Sequence, residues 1–246
     1  MPAIPAWPPK SLPRLFVRQP LNEGATVELD PRQANYLGNV LRLGAGAELL
    51  LFDGQTGEWL ARIAEAGKKR MSLGVERRTR EAEAVPDIWL AFAPVKRTQT
   101  DWLVEKATEL GAARLVPVMT RRTVAERVKL ERLEAIAIEA AEQCGRTRLP
   151  EIDEPLPLKA LLDRRDPART LYFADESGGD RAAEAFKPGS ALILTGPEGG
   201  FTEEERAIVR ASPGAVPISL GPRILRAETA ALAALAAYMT VAGDWR

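Results

Sequence analysis

The sequence predicts an α/β protein: a parallel sheet with helices on both faces, preceded by a small β-rich module. Three observations predict it. After residue 87, continuous apolar runs alternate with amphipathic stretches, the rhythm of strand–helix units in a parallel sheet. Before residue 80 the apolar runs are short and separated by Gly-bearing turns. Between the two patterns, "TREAEAVPD" (79–87) is polar and strandless. It is the natural linker, dividing the chain into 1–80 and 81–246.

In the first module, "RLFV" (14–17) and "ATVEL" (25–29) read as short strands. "DPRQANYLGNVLRL" reads as a short helix, with Asp30 as N-cap and Pro31 at the first helical position. "AELLLFD", "GQTG" and "EWLARIAEA" form a hairpin signal, and "KKRMSLGVERR" adds a strand with basic flanks. Beyond the linker, "IWLAFAPV" (88–95) is wholly apolar, as a strand buried on both faces must be. "TQTDWLVEKATELG" follows as a helix, with Leu103, Ala107 and Leu110 on one stripe and Gly111 at the C-cap. "ARLVPVMT" is the next strand. "ERVKLERLEAIAIEAAEQCG" is a long helix closed by Gly145. "TLYFAD" (170–175), "ALILT" (191–195) and "AVPISL" (215–220) are further strands, and "ILRAETAALAALAAYMTV" is the last helix.

Composition narrows the chemistry. The 246 residues include no histidine and one cysteine, Cys144. That excludes Ser-His-Asp and Cys-His nucleophile systems, His-based zinc sites, cysteine-cluster metal sites and an intrachain disulfide. No metal is expected. "MPAIPAWPPK" has prolines where a signal peptide needs an apolar segment, and the longest apolar run, "AALAALAAYMTVAG", is too short to span a membrane. The expectation is a cytoplasmic protein with no membrane partner. Net charge is zero, yet residues 1–80 carry 12 Lys+Arg against 8 Asp+Glu, and the remainder 22 against 26. A basic first third suits a polyanion partner, or simply a solvated surface.

Ligands of parallel α/β sheets bind beyond the C-terminal strand ends. Two Gly-Pro loops sit at such ends: "TGPEGGF" after 191–195 and "LGPRILRAET" after 215–220. Thr202 and Glu205 form a capping box for the helix after the first. That loop matches neither the P-loop nor the dinucleotide fingerprint. Glu198 beside a helix N-terminus would repel a phosphate but suits ribose hydroxyls or a cation. S-adenosylmethionine (AdoMet) offers a free ribose, a sulfonium and no phosphate. A tight turn with a solvated glutamate is the plainer alternative.

Together, "LTGPEGGFTEEE" and "SLGPRILRAETA" resemble the RsmE family of 16S rRNA uridine methyltransferases, within the SPOUT superfamily. "KRTQTDWLVEKATELG", "EAAEQCGRTRLP", "RLFV" and "YLGNVLRLGAGAELLLFDG" resemble family segments in the same order, so nearly the whole chain is covered. The resemblance implies a PUA-like β-barrel for RNA at 1–80 and, at 81–246, a trefoil-knotted AdoMet domain that dimerises. The last helix, small and apolar around most of its circumference, is the expected dimer face. The implied reaction moves a methyl from AdoMet to N3 of a uridine in 16S rRNA, leaving S-adenosylhomocysteine. Its expected context is the assembled small subunit. Thr195, Gly196, Pro197, Glu198, Gly199 and Gly200 are then cofactor residues, as are Leu220, Gly221, Ile224, Leu225, Arg226, Thr229 and Ala230. One departure is Asn35, where the family often shows a histidine; it puts RNA docking in question, not the chemistry.

Uracil N3 is nucleophilic only after losing its proton, and the resulting charge spreads onto O2 and O4. Arg226 is the candidate stabiliser of that anion. The proton acceptor is Glu198, Glu228 or water. Arg14, Lys96, Arg97, Arg121 and Arg122 are candidate RNA-phosphate contacts. Two rivals stand beside this reading: a ribose 2′-O-methyltransferase of the same superfamily, disfavoured because "SLGPRILRAETA" contains no asparagine, and a non-catalytic RNA-binding module.

Overall fold

The computed structural model describes residues 12–67, 70–124 and 127–245. The opening "MPAIPAWPPK" and the basic pair at 68–69 lie outside them. The chain forms two compact units: residues 1–83 with 145–148, and residues 84–144 with 149–246.

The first unit is a curled five-stranded half-barrel. Its strands are β1 (Arg14–Phe16), β2 (Thr26–Glu28), β3 (Glu48–Phe52), β4 (Glu58–Ala66) and β5 (Met71–Arg80), in the order β1-β3-β4-β5-β2. The hairpin around "GQTG" is β3–β4, antiparallel from Glu48↔Arg62 to Phe52↔Glu58. Register shifts along β4–β5 let that pair bend and curl the sheet. Leu49, Leu51, Ala61, Ile63, Leu73 and Val75 fill the concave side. The helix α1 (Pro31–Asn35) starts where Asp30 and Pro31 predict, with a full capping box between Asp30 and Gln33. The short helix is α-helical only to Asn35: Tyr36–Val40 continues it as a π-helical turn that buries Leu37, and Arg42 turns left-handed at φ 58°. Asn35 accepts a hydrogen bond from the Asn39 side-chain amide.

Arg14 is not available to RNA. Its side chain is only 8% exposed and its Nε lies 2.7 Å from Glu58 Oε2. Nη2 donates to the carbonyl of Arg146 at 2.7 Å, and the guanidinium stacks 4.6 Å from the Phe52 ring. The basic composition of this region suggested a phosphate contact; burial turns Arg14 into an internal brace instead.

The second unit is a parallel sheet. Its elements are β6 (Ile88–Phe92), α2 (Arg97–Glu109), β7 (Arg114–Met119), α3 (Leu130–Cys144), β8 (Glu151–Ile152), β9 (Leu156–Pro157), α4 (Leu158–Arg164), β10 (Thr170–Ala174), β11 (Asp180–Arg181), α5 (Ala182–Ala185), β12 (Ala191–Thr195), α6 (Glu203–Arg210), β13 (Ala215–Ser219) and α7 (Ala227–Val241). The strand order is β11-β13-β10-β12-β6-β7-β8, with β9 also on β7. Every pair is parallel.

Two cores show why the strands carry no polar face. Ile88, Leu90, Phe92, Tyr172 and Ile193 pack against α2, α3 and α7. Ala91, Leu171, Phe173, Leu192 and Leu194 pack on the other side against α4 and α6. Each fully buried aliphatic or aromatic side chain contributes about 1.5–3 kcal/mol, so both faces must be apolar and the alternation seen in half-exposed strands is lost. The helix stripe through Leu103 and Ala107 is buried as its spacing predicts, and Gly111 adopts φ 95° at the end of α2. Trp102 stands on the other side of α2, 44% exposed.

Candidate cofactor and RNA site

Because all strands run one way, the loops after β6, β7, β10, β12 and β13 leave the same edge of the sheet. The loop after β12 is held tightly. The Gly200 N–H donates to the Pro197 carbonyl at 2.8 Å, and Gly200 sits at φ 68°. A Cβ on Gly196 would stand 2.8 Å from the Phe201 ring, so that glycine makes room for the aromatic that anchors the loop to Phe173. Glu198 and Gly199 are exposed at the tip.

The capping box forms as predicted. Glu205 N–H donates to Thr202 Oγ1 at 3.2 Å, and Thr202 N–H to Glu205 Oε2 at 3.0 Å. Glu205 also does something the sequence did not signal: its Oε1 accepts from the Arg121 N–H at 2.8 Å, tying the loop after β7 to the start of α6. Arg122 Nη1 then donates to the Gly199 carbonyl at 2.6 Å, while Arg121 reaches Glu204 at 3.4 Å on the surface. Both arginines therefore border the loop proposed for the cofactor.

The loop after β10 borders the other side. Asp175 has a side chain with no exposure, and it faces Arg206 at 3.3 Å and Arg210 at 2.7 Å. Burial pushes its pKa up, but hydrogen bonds from Ser177 and Arg210 outweigh that and hold it below the ordinary 3.8. A lowered native pKa stabilises the fold above the ordinary value, and that stability is lost as pH falls through the native one. Asp175→Asn should therefore lower the unfolding free energy from urea titration at neutral pH, by about 1.5–3 kcal/mol for a charged hydrogen-bonded group. The gap to the parent protein should close as pH falls below about 4. A gap that stays constant down that range would mean the charge contributes nothing. Glu176, next in line, accepts from Arg206 at 2.9 Å and lies against Gly200.

The loop after β13 runs from Leu220 into α7. The sequence suggested a helix from Ile224, but α7 begins at Ala227, with Arg226 as an extended N-cap residue at ψ 156°. Gly221 at φ 109° turns the chain, and Ile224 is 96% exposed. The Arg226 guanidinium is exposed and makes no ion pair or hydrogen bond among the described residues, so neither Glu198 nor Glu228 occupies it; its carbonyl accepts the first helical bond of α7, from Ala230 N–H at 2.8 Å. Thr229 is exposed and Ala230 half-buried.

Beyond β6 lies a groove of about 240 Å³, lined by Pro94, Val95 and Thr100 and by Lys96, Arg97, Arg127 and Lys129. Its one acidic wall residue, Asp101, is neutralised by Arg132 at 2.5 Å. The other four cations have no carboxylate partner among the described residues. Arg127 and Lys129 were expected inside the long helix; α3 starts only at Leu130, which frees them for the groove. No metal-holding group of His, Cys, Asp or Glu occurs among the described residues, and no described helix is long and apolar enough to cross a membrane.

Residues 81–239 match the RNA methyltransferase domain family, and residues 29–76 match the RNA methyltransferase PUA domain family. The ribosomal RNA small subunit methyltransferase E of Rickettsia conorii is 31% identical over 229 residues, spanning 91% of this chain and 93% of that protein. This chain belongs to the ribosomal RNA small subunit methyltransferase E family. The Bacillus subtilis member is 31% identical over 238 residues, 90% of this chain and 93% of that one. The fold agrees: a crystal structure of the Neisseria gonorrhoeae family member, bound to S-adenosyl methionine, superposes with a TM-score of 0.87 at 31% identity. It covers 96% of this chain and 100% of that one. The half-barrel and the parallel sheet are thus the two parts the resemblance implies, RNA methyltransferase PUA domain and methyltransferase domain.

Proposed function

We propose that this protein transfers the methyl group of AdoMet to N3 of a uridine in 16S rRNA, releasing S-adenosylhomocysteine. The observation that carries the reading is a pair of Gly-Pro loops at the ends of β12 and β13, the two strands that flank β10, with Arg226 unpaired among the described residues in the second of them. The loop at Thr195–Gly200 and the segment from Leu220 to Ala230 would hold the cofactor. Glu198, exposed at the loop tip, suits the ribose hydroxyls. AdoMet supplies an activated methyl group, so the protein's work is to place N3 in line with the methyl–sulfur bond. Arg226 would hold the charge that builds on the uracil oxygens. Calorimetry with AdoMet alone separates this from a pure RNA adaptor, which should give no heat.

The groove cations Lys96, Arg97, Arg127 and Lys129, with Arg121 and Arg122, would hold the RNA backbone. Replacing Lys96 and Arg97 together by alanine should weaken rRNA binding and reduce the salt slope by about one for each phosphate no longer neutralised, with AdoMet binding intact. Arg14→Ala should behave differently. It leaves the buried Glu58 short of a partner, so it should cost on the order of 3 kcal/mol of stability and leave the salt slope unchanged. An unaltered slope in the groove variant would remove this surface from the RNA site.

The same reading includes a trefoil knot in the second unit, a homodimer, cytoplasmic location and action on the assembled small subunit. For the dimer, the support is the outer stripe of α7: Ala230, Ala233, Ala236 and Ala237 remain only half-covered within one chain. Mass in solution by light scattering tests it.

A further inference from the structure

Two buried oxygens at the loop end of the sheet have no partner among the described residues: Thr195 Oγ1, on the last residue of β12, and Glu228 Oε2, in the first turn of α7. Thr195 is 2% exposed and Glu228 7%. Other buried carboxylates here are saturated. Glu58 receives Arg14, Arg80 and Thr79; Glu205 receives two backbone N–H groups; Asp175 receives Ser177 and Arg210. A folded chain leaves a buried carboxylate without a donor at high cost, and such exceptions call for a specific explanation. A ligand that brings the donor is the explanation that fits this place.

The place is the proposed active site. α7 packs on β12 and β6, with Ala231 and Leu235 in the same core as Ile193 and Leu90. A short loop joins the start of α7 to the C-terminal end of β13. Its first turn therefore lies at the edge where the Thr195–Gly200 loop leaves β12. Glu198, the other carboxylate of these two loops, is exposed and can be satisfied by water.

Uracil presents an acceptor–donor–acceptor edge: O2, N3–H, O4. A dehydrated carboxylate oxygen matches the central donor, and the donors of Arg226 and the Thr195 hydroxyl match the flanking oxygens. We propose that Glu228 takes the N3 proton during methyl transfer. The proposal rests on the uridine-N3 reading above. The N3–H bond breaks toward Glu228, and the electron pair left on N3 forms the new bond to the methyl carbon. The methyl–sulfur bond breaks with its pair staying on sulfur, so the sulfonium becomes the neutral thioether of S-adenosylhomocysteine. The proton then leaves Glu228 for solvent as product departs, which balances the lost sulfonium charge.

Glu228→Gln preserves size and hydrogen bonding but cannot accept the proton. In single-turnover methylation of small-subunit particles, it should lose about 10²–10⁴-fold in rate, with AdoMet affinity by calorimetry unchanged. Glu228→Asp, which keeps a carboxylate, should fall between the two. Placing 5-fluorouridine, with its more acidic N3–H, at the target should restore much of the Gln variant's rate and change the parent enzyme little. The proposal is overturned if the Gln variant reacts at the parent rate. It is equally overturned if that variant instead loses AdoMet affinity, or loses dimer mass, because the carboxylate then serves the cofactor or a second chain. If the parent enzyme itself yields no N3-methyluridine, the functional reading has failed, and that shows in the parent control alone.

Discussion

Arg226→Ala is expected to slow methyl transfer by about 10²–10³-fold, the usual loss when one preorganised donor to a developing anion is removed. This guanidinium stands at the N-cap of α7 without a partner among the described residues. A cation at a helix N-terminus gains nothing from the helix dipole, so its position makes sense when an anion arrives. That anion forms only along the reaction path, as the N3–H bond breaks, and is absent from the bound ground state. The loss should therefore fall on the single-turnover rate at saturating RNA and AdoMet, and far less on either binding constant. A variant that transfers methyl at the parent rate but binds rRNA poorly would make Arg226 a phosphate clamp.

Gly200→Val is expected to remove AdoMet binding while leaving both units folded. Gly200 occupies the left-handed region, where a side chain costs about 1–2 kcal/mol, and a β-branched one more. A Cβ there would also stand 2.6 Å from Glu176 Oε1, so that exposed side chain must swing away from Arg206. The turn relieves the backbone strain by opening, which carries the loop away from its cofactor-binding shape. An affinity loss on the order of 100-fold corresponds to about 2.7 kcal/mol, within reach of the strain of a β-branched residue in the left-handed region together with the lost ion pair. Unchanged affinity in a folded Gly200→Val protein would take this loop out of the site.

What was legible in the sequence follows physical lines. The strands at 88–92 and 191–195 are legible because burial on both faces demands unbroken apolar runs; in 215–219 only Ile218 is buried, and the strand is marked by its short apolar run alone. The start of α6 was legible because a capping box is a local code, and Gly111 and Gly145 mark helix ends because the chain turns left-handed there. The short pieces β8, β9, β11 and α5 went unseen: two to four residues carry no periodicity. Helix starts were overextended at α3 and α7, where helix-forming residues continue into loops that the sheet edge dictates.

The site divides the same way. Its loops were visible as Gly-Pro turns after apolar strands, yet their fastening was not. Glu205 bridging to Arg121, or Glu176 backing Gly200, depends on which loops the strand order brings together, and no local pattern encodes that. Arg14 shows the converse: composition marked it as a surface cation, and only the packing of Glu58, Phe52 and Arg146 around it reveals a brace.

The most direct test is to incubate the protein with AdoMet and small ribosomal subunits lacking the modification, digest the 16S rRNA, and identify the methylated nucleoside by mass spectrometry. The predicted product is a single base-methylated uridine, modified at N3, formed only when AdoMet and active protein are both present. A methyl group on a ribose 2′ oxygen, or none at all from a protein that binds both partners, would contradict it.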